Sequence, residues 1–403
     1  MKYRSLIGLF LILGSLPAWA AAPTVKKAEI RREHTWERAL AADLETPQKS
    51  YADFKKWLSD TAGLSYSLDV SLLGQRAAPN GQKTPWQTQY YGSAAWNAFQ
   101  SDTWGSGSFQ VAYTAVRYWG QSAQNINNRI GVVSAFNDYT VNANYFDQLS
   151  YTHQLPGRLN SLSITAGQFP LYNFDGGTYD ANQQINFLNF ALSQNASSTY
   201  PTASLGGYAT FTPNGEWSLS GGFQDANNVT GKNISPHKFG KGKYTGFGSI
   251  TYSPTIKGLG QSTISVLFYH QPSVTAQPGT GNGWSLNLQQ NIGEKWAVFA
   301  RVNGTAKTPN GIRQSYVLGG VWNNPLNRNS LDQIGLAAAV NKLNPASNGA
   351  DTRSVENVLE AYWAWGISNF MTLTPDIQFY INPGLNSNQR TATVTSLRAT
   401  LMF

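Results

Sequence analysis

From about residue 63 onward the chain alternates between apolar and polar positions. Leu68, Val70 and Leu72 interleave with Ser67, Asp69 and Ser71, and Trp217, Leu219, Gly221 and Phe223 with Ser218, Ser220 and Gln224. Trp284, Leu286 and Leu288 do the same against Ser285, Asn287 and Gln289, as do Leu359, Ala361, Trp363 and Trp365 against Glu360 and Ala364. A period of two belongs to strands with one apolar and one polar face. Gly, Pro, Asn, Asp and Ser punctuate the segments. The pattern predicts about sixteen strands, at 65–73, 86–99, 107–118, 143–153, 161–168, 204–212, 217–224, 243–252, 262–270, 283–291, 296–304, 314–322, 332–341, 356–366, 374–381 and 391–403. Ile130 to Phe136 also alternates, but a strand there breaks the even count and is left out.

The gaps alternate long and short, with 119–142 and 169–203 set against 100–106, 213–216 and 292–295. That is the rhythm of an outer-membrane barrel, with long outer loops and short periplasmic turns. A soluble sandwich alternates too, but three features oppose it. Trp86, Trp96, Trp119, Trp217, Trp284, Trp296, Trp322 and Trp365 fall near strand ends, where interfacial girdles sit. The face opposite the apolar one is Ser, Thr, Asn, Gln and Gly, suited to a wet lumen. The last strand carries Thr395, Leu397, Ala399, Leu401 and Phe403 at every second position, which resembles the signal read by the barrel-assembly machinery. The fold class expected is all-β: a transmembrane antiparallel β-barrel of about sixteen strands with a short helical N-terminal segment. In hydrocarbon a sheet crosses only if it closes on itself. At that width it leaves an aqueous channel.

The first twenty residues read as a secretory signal peptide. Lys2 and Arg4 precede an apolar stretch from Leu6 to Leu16, and Ala18-Trp19-Ala20 supplies a small-x-small cleavage site near Ala20. The destination expected is the outer membrane of a Gram-negative cell. Residues 21–62 form a separate charged segment, periplasmic or plugging. Trp36, Leu40 and Leu44, then Phe54, Trp57 and Leu58, suggest two short amphipathic helices there. Residues 63–403 make the barrel domain.

Composition narrows the chemistry. There is no Cys, so disulfides, Cys-ligated metals and thiol nucleophiles are excluded. Only 12% of residues are charged, about half the usual share. The formal charge of +8 falls to +6 without Lys2 and Arg4, too dilute for a nucleic-acid surface. His34, His153, His237 and His270 are scattered, and no metal motif, nucleophile elbow or Walker loop is present. Neither an enzyme nor a cofactor is expected; a channel is the default.

Several stretches are similar to the carbohydrate-selective porin (OprB-type) family. They are LPGRLNSLSITAGQFPLYNFDGG from Leu155, then NFLNFALSQNASSTYPTASLGGYATFTPNGEWSLSGGFQDANN, and VENVLEAYWAWGISNFMTLTPDIQFYINPG at 355–384. The likeness covers most of 140–403, while the family's G-D-W-G-G-x-R entry is missing. The resemblance implies passive diffusion of sugars through a sixteen-stranded barrel. It also implies that the long third loop folds inward to narrow the pore. That loop carries Tyr172, Asn173, Asp175, Tyr179, Asp180, Asn182, Gln183 and Gln184, a mix of rings and polar groups suited to sugar C–H faces and hydroxyls. Strand parity sends Asp69, Arg301, Glu360, Asp376, Gln378 and Arg398 to the polar wall as further lumen candidates, and places Arg117 on the apolar side near lipopolysaccharide. The alternatives are a general or anion-preferring porin, motivated by the positive charge, and a structural or export role for the charged segment. The partners expected are sugars, outer-membrane lipid and lipopolysaccharide, with monomer or homo-oligomer both compatible.

Overall fold

The computed structural model describes residues 50–79, 84–232, 234–306 and 310–403. The signal-peptide reading over 1–20 and the helix expected around Trp36, Leu40 and Leu44 lie outside the described residues. Residues 50–62 form helix α1, the second helix expected. Sixteen long strands follow: β1 (Leu64–Ala78), β2 (Trp86–Ser101), β3 (Gly105–Trp119), β4 (Ala143–Gln154), β5 (Leu162–Phe169), β6 (Ser204–Phe211), β7 (Trp217–Asp225), β8 (Tyr244–Tyr252), β9 (Gly260–Gln271), β10 (Gly281–Ile292), β11 (Trp296–Ala306), β12 (Ile312–Asn323), β13 (Gln333–Leu343), β14 (Val355–Ser368), β15 (Met371–Ile381) and β16 (Thr391–Met402). The two-residue strand Thr255–Ile256 adds a short arm between β8 and β9.

The sheet closes. β1 pairs with β2 from Leu64↔Trp96 to Gly74↔Trp86, and on its other side with β16 from Asp69↔Met402 to Ala78↔Thr393. Every other long strand pairs antiparallel with its chain neighbours. No backbone edge is left facing lipid. Each expected strand is present, and β1 runs past its expected end because Leu73, Gln75 and Ala77 continue the inward series as buried positions. Short turns such as 102–104, 293–295 and 369–370 share one end of the barrel with α1, whose Tyr51 packs edge-on against Tyr66 and Phe403. The long loops, 120–142, 170–203 and 226–243, occupy the other end.

The apolar packing lies inside the barrel. Loop 120–142 carries helix α2 (Ala123–Ile130), and loop 170–203 carries the single-turn helix α3 (Phe190–Ser193). Both loops fold into the lumen. Ile126, Ile130, Phe136, Phe187 and Leu192 pack there against Phe299, Val317, Tyr362, Tyr380 and Val394 on the wall. Two inward glycines make room for the wall rings. A Cβ on Gly319 would stand 2.3 Å from the Phe299 ring, and one on Gly335 2.2 Å from Tyr362. Phe187 then meets Phe299 at 5.6 Å and Tyr362 at 4.9 Å between ring centres. The sequence pointed to one inward loop; the structure has two. The alternating stretch from Ile130 to Phe136 is not a strand but the end of α2 and the coil after it.

Candidate functional site: the pore and its constriction loop

A loop inside a barrel must find partners for its own backbone, because buried N–H and C=O groups left unpaired cost about 1–3 kcal/mol each. Loop 170–203 finds them on the wall. Arg301 of β11 donates to the carbonyl oxygens of Asp180 (3.0 Å) and Ala191 (2.9 Å), and to the Asp180 carboxylate (3.1 Å). Arg398 of β16 donates to the carbonyls of Gln183 and Asn186, the latter at 2.9 Å. Thr400 donates to the carbonyl of Gln184 (2.8 Å). On β14 the Glu360 carboxylate accepts from the backbone N–H of Leu188 (2.5 Å) and Asn189 (2.9 Å). Four residues earlier on the same inner face, Glu356 accepts from the N–H of Val133, Ser134 and Gly384 at 2.7–2.9 Å. It is therefore the anchor of loop 120–142, which Gln378 and Tyr380 also hold, at the carbonyls of Phe136 and Ser134 (both 2.9 Å).

The loop side chains predicted from sequence take part in the same network. Asp175 accepts from Asn195 (2.7 Å), Tyr200 (2.9 Å) and Asn287 (3.3 Å). Gln183 donates to Gln89 and accepts from the Asp138 N–H, both at 2.7 Å. Gln184 reaches Ser71 (3.2 Å), and Tyr179 accepts from Asn323 (3.1 Å). Asp175, Asp180, Gln183, Arg301, Glu360 and Arg398 are all buried. Asp376 is buried as well, near Glu360 and the positive charge of Arg398, and Asp69 is buried with Lys55 of α1 as the cation acting on it. The structure thus gathers most of the predicted residues into one network that fixes the loop. Tyr172, Asn173 and Tyr179 are more open, and Asn173 faces the free space.

That space is a cavity of about 330 Å³ along the opposite wall, formed by β3 to β10 and opening toward the short turns. The loop contributes Asn173, Phe174 and Thr178 to its lining and the strands contribute Gln110, Thr152, Ser220, Ser249 and Gln289, the last accepting from the Thr178 N–H (2.8 Å). Glu216, in the turn before β7, is the one charged residue of the described lining.

Sequence parity missed Asp147. Strict alternation sends Asp147 and Gln148 to opposite faces, yet both are buried inside, because the β3–β4 register shifts between Ala112↔Gln148 and Tyr113↔Phe146. The bulge re-aims Asp147, which accepts from Thr114 and from the Tyr172 hydroxyl (2.8 Å). In loop 120–142, Asp138 accepts from Ser193 of α3 and from Gln194 (3.4 Å), joining the two inward loops. Burial pushes the Asp138 carboxyl up to about 7, against the opposing pull of Ser193, Gln194 and the Arg301 charge.

The family model described as "Carbohydrate-selective porin, OprB family" matches residues 103–248 and 239–403. The chain belongs to the OprB family. Among curated relatives it is similar to Porin AaxA of Chlamydia pneumoniae, with 40% identity over 345 residues, covering 83% of this chain and 78% of the relative. Porin AaxA of Chlamydia trachomatis serovar D is 33% identical over 374 residues, covering 87% and 80%. Among solved structures, Pseudomonas putida OprB at high pH superposes with a TM-score of 0.71 at 16% identity, covering 88% of this chain and 97% of that one. Salmonella typhi OmpF shares the barrel more distantly, with a TM-score of 0.56 at 10% identity over 84% and 97%. Family and fold together make the protein an outer-membrane porin.

Proposed function

We propose that this OprB-family porin gives passive, diffusion-driven passage to carbohydrates, mono- or oligosaccharides. The observation that carries the reading is the lining of the free space. Its hydroxyls and amides both donate and accept, as sugar hydroxyls do, and Phe174 adds a ring to the lining for C–H surfaces. Weak contacts spread along a path let a solute enter without being trapped. In this reading Asn173 meets the solute, and Tyr172 and Tyr179 brace the loop on either side of it. Asp175, Asp180, Gln183, Arg301, Glu360 and Arg398 hold the loop that shapes the solute's path, with Asp69 and Asp376 buried on the wall behind it.

The test is liposome swelling with the full chain refolded into phospholipid vesicles, comparing neutral sugars with amino acids and organic ions of matched size. Faster sugar entry, reduced several-fold by Asn173→Ala, supports the reading. Entry ordered by size alone replaces it with a general porin. Interior charge bears on the ionic alternatives: the acids facing inward from the strands outnumber Arg301 and Arg398, which favours cations over the anions that the chain's net charge suggests.

A further inference from the structure

Charge is segregated by face along the sixteen strands. Of their acids, Asp69, Asp147, Glu356, Glu360 and Asp376 are buried on the lumen side, and Asp225, at the loop end of β7, is buried where it accepts from the Asn227 N–H. Of their lysines and arginines, Arg301 and Arg398 are buried in the lumen, whereas Arg76, Arg117, Arg313 and Lys342 are exposed on the outer surface. These four sit within two residues of an end of β1, β3, β12 and β13, all at the long-loop end. They cover one half of the barrel, from β12 through β16 and β1 to β3, and the strands of the other half have none.

Each has a local setting. Arg313 falls in the register shift between Ile312 and Gln314, beside Lys342, whose Nζ lies 5.3 Å from the Tyr316 ring centre. Arg76 and Arg117 flank Trp86, which pairs with Gly74 on one side and with exposed Trp119 on the other. The Arg117 guanidinium donates to the carbonyls of Val116 (2.9 Å) and Ala143 (3.2 Å). Among the described residues none of the four forms an ion pair with a carboxylate.

A base on the lipid face of a barrel costs about 2–4 kcal/mol at the midplane and about 0–1 near an interface. Four of them at one rim, without a protein counter-charge, fit a leaflet that supplies anions. The leaflet at the long-loop end is the outer one. We propose that the rim from β12 to β3 binds lipopolysaccharide. Arg76, Arg117, Arg313 and Lys342 pair with its lipid A phosphates, which suit guanidinium forks. Trp86 and Trp119 sit at the headgroup level. Leu72, Tyr90, Leu318 and Val340, exposed on the same face, lie along the acyl chains.

The test uses the full chain refolded in phosphatidylcholine vesicles containing purified lipopolysaccharide, then extracted in detergent and gel-filtered, with bound lipopolysaccharide measured per barrel by native mass spectrometry. The natural sequence is expected to retain it. The quadruple variant R76Q/R117Q/R313Q/K342Q is expected to retain about tenfold less, near 1.4 kcal/mol of binding, while its heat-modifiable band shows a folded barrel. Should that variant not fold, chemically dephosphorylated lipopolysaccharide offered to the natural sequence decides, and its retention is expected to drop to the same degree. Equal retention in either comparison overturns the proposal. So does a variant that loses oligomeric mass while keeping its lipopolysaccharide, because the rim would then be a contact between copies of the chain.

Discussion

Asp180 and Arg301 form a fully buried ion pair whose guanidinium also carries two loop carbonyls. Removing one partner of such a pair typically costs about 3–5 kcal/mol, because the other charge stays buried without compensation. The barrel ladder does not depend on this contact, so the cost falls on the loop. Asp180→Ala is expected to leave the heat-modifiable barrel intact while raising single-channel conductance and its noise in planar bilayers; a quiet channel of unchanged conductance would mean that the wall does not hold the loop. Asp138 gives the second test at this scale. Its carboxyl titrates near 7 when folded, above the ordinary aspartate value of about 3.9. A raised folded-state pKa means that the folded form binds the proton more tightly. The associated stabilisation is therefore full below about pH 4 and is lost as pH rises through about 7. Protease protection of the two inward loops should weaken over that window in the natural sequence. Asp138→Asn should flatten the profile, and a variant that keeps the slope would assign it to another group.

At the level of elements, the strands were legible and the loops were not. Alternation of period two marks every strand because lipid on one side and water or packed loop on the other impose opposite demands on neighbouring residues. Which loop turns inward leaves no such periodic trace. Length singled out 170–203. Loop 120–142 passed as an outer connection, although Ile126 and Ile130 stand at the i, i+4 spacing of a helix face and are both fully buried in the lumen. The wall charges were placed correctly by parity, but whether a lumen charge meets solute or loop backbone is decided by contacts distant in sequence, such as Glu360 with Leu188 and Asn189. Asp147 escaped because a bulge resets parity within β4. The α2 packing can be tested directly. Ile126→Glu places a charge in the apolar cluster at a cost of several kcal/mol, and loop 120–142 should leave the lumen. Conductance is then expected to rise with the barrel still folded, as judged by heat modifiability; an unchanged conductance would show that this loop does not limit the current.

Across the whole molecule, charge sign depends on side. The chain carries 29 Lys and Arg against 21 Asp and Glu, yet five of its six strand acids face the lumen, where Arg301 and Arg398 are the only strand bases among the described residues. Basic residues gather instead on the outer rim, so net charge is a poor guide to what a permeating ion meets. In a narrow lumen with low-dielectric walls the enclosed charges set the potential. Part of the inner negative charge is answered by backbone N–H groups at Glu356 and Glu360, which soften the field without reversing it. A salt gradient across a planar bilayer should therefore give a reversal potential of cation-preferring sign. The preference should shrink as salt is raised from about 0.1 M to about 1 M, where the screening length falls from about 10 Å to about 3 Å. Glu216→Gln, which removes the one charge on the described cavity lining, should reduce it further. Anion preference in the natural sequence would mean that the outer rim, rather than the lumen wall, governs ion entry.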